Sequence, residues 1–254
     1  MKVYSGFLDR IDGMDNVSLF FDEYVPHVKY SNTPVNVAYA LEPVDVIGID
    51  VQKYLLANSD KFDLILTDQA PLLHLSNAVL FPFGTAWVQN YKENKEFSVS
   101  TVIGNKTQTR GHILRHVLHA KMHQITIPTK FYGSSKGSPK LDLKLVDTKE
   151  PLFDSMFHIV IENSFSDHYF SEKLIDCLVS KTVPIYMGAK KIGNYFNTDS
   201  IIQANSITEI IKACNKLKPC DYTNMLGSIN ENFTEAQKYR DWHGRIKRQI
   251  ERSL

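Results

Sequence analysis

Cysteine is scarce in this chain. Cys177, Cys214 and Cys220 are scattered and form no CxxC pair, which argues against a disulfide framework or a cysteine-based zinc site and suits a reducing compartment. An apolar leader is also missing from the start, MKVYSGFLDRIDGMD, and no apolar run reaches the 18 residues of a membrane span. The expectation is a cytoplasmic protein with no integral membrane segment. Charge of one sign is not in excess: 29 basic against 28 acidic residues give a net +1, so nothing in the balance calls for nucleic acid. Repeats, low-complexity tracts and a glycine-rich phosphate loop are absent too. What is present, at 254 residues and 43% apolar content, is enough material for a real core.

Residues 157–191, FHIVIENSFSDHYFSEKLIDCLVSKTVPIYMGAKK, carry most of the information. The apolar run Phe157–Ile161 stops at Glu162 and Asn163. A polar loop follows, and from Ser171 the apolar residues Leu174, Ile175, Leu178 and Val179 fall on one helical face. A second β-branched run, Thr182–Met187, ends at Gly188. This is a βαβ unit with its polar residues at the strand's carboxyl end, where open α/β sheets bind ligands. Lys173 stands out, because a cation in a helix's first turn opposes the macrodipole unless an anion sits there. The segment reads as a phosphate site.

Strand-like and helix-like segments alternate along the rest of the chain, which points to an α/β fold with parallel sheets. Strands are expected at Met1–Phe7, Asn36–Leu41, Phe62–Thr67, Ala78–Phe83, Phe97–Ile103, Ile125–Ile127 and Ser200–Gln203. Helices are expected around Val46–Ala57, over Thr109–His123, and after Ser206, where Glu209 completes a capping-box pattern. Asn90–Glu96 (NYKENKE) is polar and aperiodic and reads as a linker. The domains are thus 1–95, 96–229 and a charged helical tail at 230–254 with Trp242, Ile246 and Ile250 on one side.

The stretch IENSFSDHYFSEKLIDCLVSKTVPIYMG closely resembles the signature of the α1,3/1,4-fucosyltransferases, glycosyltransferase family 10. Glu162, Asn163, Ser164, Tyr169, Ser171, Glu172, Lys173, Val183, Pro184, Ile185, Tyr186 and Gly188 stand where that pattern places them. FSVSTVIGNKTQTRGHILRHVL is similar to the family's strand–loop–arginine–helix segment and puts Arg110 on its donor-contacting arginine, and FYGSS is similar to its glycine turn. The resemblance covers most of residues 97–203. It implies a GT-B fold of two Rossmann-like lobes, the first on the acceptor side, the second holding the nucleotide sugar, with the tail bridging them. It also implies transfer of fucose from GDP-fucose to a glycan acceptor with inversion, without a metal or other cofactor.

In that reading Lys173 and Arg110 offset the charge that grows on the departing diphosphate. Glu172 meets the ribose hydroxyls, and Glu162, Asn163 and Tyr169 complete the donor site. No DxD motif lies in a suitable loop. An inverting transfer needs a base. Glu42, just before Pro43 at a strand's carboxyl edge, is the candidate, with Asp68 in reserve; the family's base stands in a Glu-Ser-Pro context, and here the serine is absent. Two other enzyme or binding readings stay open: another nucleotide-sugar donor, or a nucleotide- or carbohydrate-binding protein without catalysis. His112, His116, His119 and His123 would fall within a stripe about 60° wide on one helix, a spacing that can bind zinc or nickel. Without an HExxH glutamate, a solvated face is the stronger reading.

Overall fold

The structure is a computed structural model that describes residues 1–5 and 13–254. Part of the Met1–Phe7 segment therefore lies outside the described residues. The chain divides into two compact units, Met1–Phe83 with Ser166–Tyr169 and Asp241–Leu254, and Gly84–Phe165 with Phe170–Arg240.

The first unit holds a parallel sheet whose five strands lie side by side in chain order: β1 (Lys2–Tyr4), β2 (Val17–Phe21), β3 (Val35–Ala40), β4 (Leu64–Thr67) and β5 (Ala78–Leu80). Alternation sorts the strand residues onto two faces. Phe20, Ala38, Ala40 and Ile65 pack with Val25 and Val28 from a 3₁₀ turn and with Val51 and Leu55 from helix α2 (Asp50–Ala57). The single helix expected over 46–57 is instead two, α1 (Val44–Ile47) and α2, because Gly48 at φ 83° breaks the run.

The opposite face, Val17, Leu19, Phe21, Val37, Tyr39, Leu64 and Leu66, is covered from the far end of the chain by Ile246 and Ile250. Both belong to the last helix, α8 (Trp242–Ser253), and both are fully buried. Tyr39 sits beneath Phe21, Phe81 and Trp242, with ring centroids 5.3–6.4 Å apart. Arg245 ties the helix down by donating to the carbonyls of Phe83 and Pro82 and by lying over the Phe81 ring.

The second unit's sheet is also parallel. Its strands are β6 (Glu96–Ile103), β7 (Thr129–Gly133), β8 (Leu143–Lys144), β9 (Ser155–Ile161), β10 (Val183–Met187) and β11 (Ile202–Gln203), in the spatial order β11-β10-β9-β6-β7-β8. This is a doubly wound order, and the winding reverses between β6 and β9. On one face lie helices α3 (Arg110–Ala120) and α5 (Ile207–Lys216), packed on Phe157, Ile159, Ile161 and Ile185. On the other lies α4 (Glu172–Leu178), whose Leu174, Ile175 and Leu178 join Val160, Tyr186 and Phe170. Helices α6 (Pro219–Asn224) and α7 (Leu226–Ala236) complete this unit.

Three segments differ from expectation. The strand after α3 begins at Thr129, beyond Pro128, rather than at Ile125. The stretch from Gly84 to residue 96 is not a linker: it packs on the second unit, with Val88 in the core, the Asn90 amide bonded to Glu150, and Lys92 paired with Asp154. The tail is also not one element, since α7 belongs to the second unit and α8 to the first.

Ile250→Ala should lower stability by about 2–5 kcal/mol through lost burial and a residual cavity. Urea denaturation measures this, and a change below about 0.5 kcal/mol would mean that α8 does not form the first sheet's core.

Candidate functional site

β9 ends at Ile161, on one side of the switch point, and the next residue is a carboxylate that never reaches solvent. Glu162 is fully buried. Its amide donates to Met187 O of β10, and its two carboxylate oxygens accept from the Ser171 amide (2.9 Å) and the Ser171 hydroxyl (2.6 Å). Ser171 is in turn the N-cap of α4, accepting from the Lys173 amide. One glutamate thus fixes where α4 starts. The amide of Lys173 is capped by that serine, and the seven-residue helix contributes mainly a rigid mount for Glu172 and Lys173.

Lys173 Nζ lies 3.1 Å from Ser171 Oγ, 3.3 Å from Glu172 Oε1 and 3.8 Å from Glu162 Oε2. Glu172 Oε1 is shared with Lys149 Nζ, also at 3.3 Å, and Lys149 reaches Asp176 Oδ2 at 3.2 Å. Asp176 is fully buried and accepts the amides of Trp87 and Val88, while Lys149 lies over the exposed Trp87 ring, 4.2 Å from its centroid. Burial works to raise the Glu172 pKa, but Lys173 and Lys149 overcome it and hold it at about 2. Burial works against charge on Lys173 as well; the carboxylates of Glu172 and Glu162 outweigh it and hold the ammonium above the ordinary lysine range. Both side chains are therefore ionised at neutral pH, and both are partly exposed, at 12% for Glu172 and 23% for Lys173.

The start of α3 meets the end of β9. A Cβ on Gly111 would overlap the carbonyl oxygen of Glu162, so glycine is required for this approach, and the Gly111 amide donates to Asn163 O. Arg115 closes the contact by donating to Ile161 O (2.7 Å) and Asn163 Oδ1 (2.8 Å). The structure thus gathers Glu162, Asn163, Glu172 and Lys173 around the end of β9. Arg110, the first residue of α3, is exposed, with its guanidinium over the Phe165 ring, 5.2 Å from its centroid. Tyr169 is buried and groups with the first unit. Gly111 and Arg115 had no signal in the sequence, because their partners lie about 50 residues away.

The histidine stripe is not continuous. α3 ends at Ala120 rather than at His123, which falls in a following 3₁₀ turn. His112 Nδ1 closes a capping box with Thr109, and His116 Nε2 meets Lys106 O. Burial, with Arg115 and Lys106 nearby, pushes His112 down to about 4. Among the described residues no group of three His, Cys, Asp or Glu side chains is placed to hold a metal ion.

In the first unit, three carboxylates stand after successive strands: Asp22 after β2, Glu42 after β3 and Asp68 after β4. Asp22 and Asp68 are buried, at 5% and 3% exposure, and Glu42 is half-buried. Desolvation raises Asp22 to about 7 and Asp68 to about 8, with the Glu42 charge adding to both. Among the described residues, none is a hydrogen-bond partner of the buried Asp68 Oδ2.

The chain is a glycosyltransferase, built on the two parallel-sheet units of the GT-B-like class. More narrowly, it belongs to glycosyltransferase family 10: the family's fucosyltransferase C-terminal model matches residues 92–253. Curated protein sequences give no match. Among solved structures, an α1,3-fucosyltransferase is 18% identical with a TM-score of 0.56, over 85% of this chain and 70% of that one. An α1,3-fucosyltransferase with GDP-fucose is 15% identical with a TM-score of 0.55, over 92% of this chain and 82% of that one. A mutant of S. aureus TarM, in complex with fondaparinux, α-GlcNAc-glycerol and UDP, is 14% identical with a TM-score of 0.64, over 92% of this chain and 55% of that one. At these identities the likeness is one of fold. No helix among the described residues is long and apolar enough to cross a membrane.

The raised carboxyls have a stability consequence. Unfolding returns Asp22 and Asp68 to an ordinary value of 3.8, so between there and their folded values the native state binds more protons than the unfolded chain. Their contribution is fully present below that ordinary value and is lost as pH rises through about 7 and 8. The thermal midpoint should fall by on the order of 5 °C or more between about pH 5.5 and pH 8.5, and Asp68→Asn should flatten the slope. A midpoint that is constant or rises over this range would contradict the buried, protonated carboxyls.

Proposed function

We propose that this enzyme transfers fucose from GDP-fucose to a glycan hydroxyl by a single inverting displacement that uses no metal ion. The observation that carries the reading is the placement of Lys173, in the family's own motif, on a helix start locked by Glu162 and Ser171 at the switch point of the second sheet. Solved α1,3-fucosyltransferases of this fold, one with GDP-fucose and one with GDP, support the choice of donor.

Cleaving the sugar–phosphate bond places negative charge on the departing diphosphate. Lys173 is ionised, partly exposed and mounted on a rigid element, so it stabilises that charge with little reorganisation. Binding exchanges part of its pairing with Glu172 for a phosphate oxygen. Glu172, ionised between two lysines, then accepts from the ribose hydroxyls. Arg110, exposed at the start of α3, supplies the second cation as a planar fork suited to phosphate. Asn163 is oriented by Arg115, and Glu162 acts by fixing the loop and helix rather than by touching the donor. Tyr169 frames the donor loop. In the first unit Glu42 takes the acceptor hydroxyl's proton as the glycosidic bond forms.

Lys173→Ala, assayed in EDTA with GDP-fucose, tests the donor half of this scheme. A charge-assisted bond to phosphate contributes roughly 1.5–3 kcal/mol, so GDP should bind about 10- to 100-fold more weakly, and turnover should fall further. The wild type should keep its full rate in EDTA. Unchanged kinetics in Lys173→Ala would remove the phosphate site, and loss of wild-type activity in EDTA restored by Mn²⁺ would overturn the metal-free scheme.

A further inference from the structure

Glu42 lies just past the end of β3, where a chain ordinarily relaxes into a loop, yet its main chain is held from both sides. Its amide donates to Asp22 Oδ1 (3.1 Å), which also accepts the Leu41 amide (2.8 Å). Its carbonyl accepts Gln69 Nε2 (3.1 Å), and Gln69 Oε1 accepts Gln52 Nε2 of α2 (2.9 Å). The Gln69 amide is bonded to Thr67 Oγ1 at the end of β4. Pro43, at φ −69°, follows and restricts Glu42 to an extended backbone.

These bonds are made by groups that are unfavourable where they stand. Asp22 adopts φ 42°, a left-handed conformation seldom taken by a residue with a side chain. It buries a carboxyl beside two others. Gln52 and Gln69 are buried amides, at 9% and 7% exposure. A loop needing only to be covered could use apolar side chains and avoid all three costs. A base, by contrast, must be held close to its productive geometry, and a misplacement of about 1 Å costs on the order of 100-fold in rate.

We propose that Asp22, Gln69 and Gln52 are positioning residues for Glu42, clamping its amide and its carbonyl so that its carboxylate is presented from the edge of the first sheet at a fixed place. The inference rests on the reading of Glu42 as the base. Asp22 acts as an acceptor of two amides, a role its amide isostere can fill. Asparagine also tolerates the left-handed backbone at this position.

The test compares GDP release from GDP-fucose, with N-acetyllactosamine as acceptor, across Glu42→Gln, Gln69→Ala, Gln52→Ala, Asp22→Ala and Asp22→Asn. Glu42→Gln should lower kcat by roughly 10²–10⁴-fold. Gln69→Ala should lower kcat by roughly 10- to 100-fold with the KM for GDP-fucose unchanged, and Gln52→Ala should do so more weakly. Asp22→Ala should behave like Gln69→Ala, and Asp22→Asn should restore most of the lost turnover. Added to Glu42→Gln, Gln69→Ala should cost nothing more, a non-additivity that a general loss of stability would not produce. If Asp22→Ala fails to fold, the two glutamine variants, on the other side of Glu42, decide. A dead Glu42→Gln beside fully active Gln69→Ala and Gln52→Ala overturns the clamp and leaves the base reading standing. An active Glu42→Gln overturns the base reading and the clamp together.

Discussion

The arrangement of the second unit's candidate site depends on one buried interaction, the pair of hydrogen bonds from Ser171 to the carboxylate of Glu162. A carboxylate at zero exposure is costly unless its oxygens are satisfied, and here the chain's own next helix satisfies them. Burial still raises Glu162, against the opposing influence of Lys173 and of the Ser171 bonds. The result is that α4 can begin at one place only. Glu172 and Lys173 inherit that precision, and the lysine is drawn to the same carboxylate that set the helix. Gly111 and Arg115 add the start of α3 to the same point by direct contact with residues 161–163.

The two units use their sheet edges differently. In the second, opposite charges are interleaved: Lys149 and Lys173 separate Glu162, Glu172 and Asp176, so each carboxylate has a cation or a donor. In the first, Asp22, Glu42 and Asp68 stand together, and burial with mutual repulsion leaves two of them protonated near neutrality. The interleaved charges of the second unit suit the binding of an anion in exchange for an internal partner. The carboxyl cluster of the first unit gives up stability above neutral pH, the trade that a site for the proposed proton transfer would make.

How much of this was legible in the sequence follows from the range of each interaction. β9, α4 and β10 were read correctly because alternation, helical spacing and a serine cap all act within a few residues, and the motif there fixed the family. The parallel sheets and the apolar side of α8 were legible for the same reason. The packing of the segment around Trp87 and Val88 was not, because its bonds run to Asp176, 89 and 88 residues away. Pro128 set the start of β7 beyond a β-branched triplet, Ile125–Ile127, that looked like a strand. Asp22 carried no signal as a partner of Glu42, since only the sheet brings the ends of β2 and β3 together.

The central claim is that the second unit binds a guanosine diphosphate sugar through Lys173 without a metal. Calorimetric titration of the protein with GDP, UDP and CMP in EDTA tests it most directly. The account predicts saturable binding of GDP, at least tenfold tighter than UDP or CMP, and weakened when Lys173 is replaced by alanine. Binding that appears only when Mn²⁺ or Mg²⁺ is added, or that favours UDP over GDP, would contradict it.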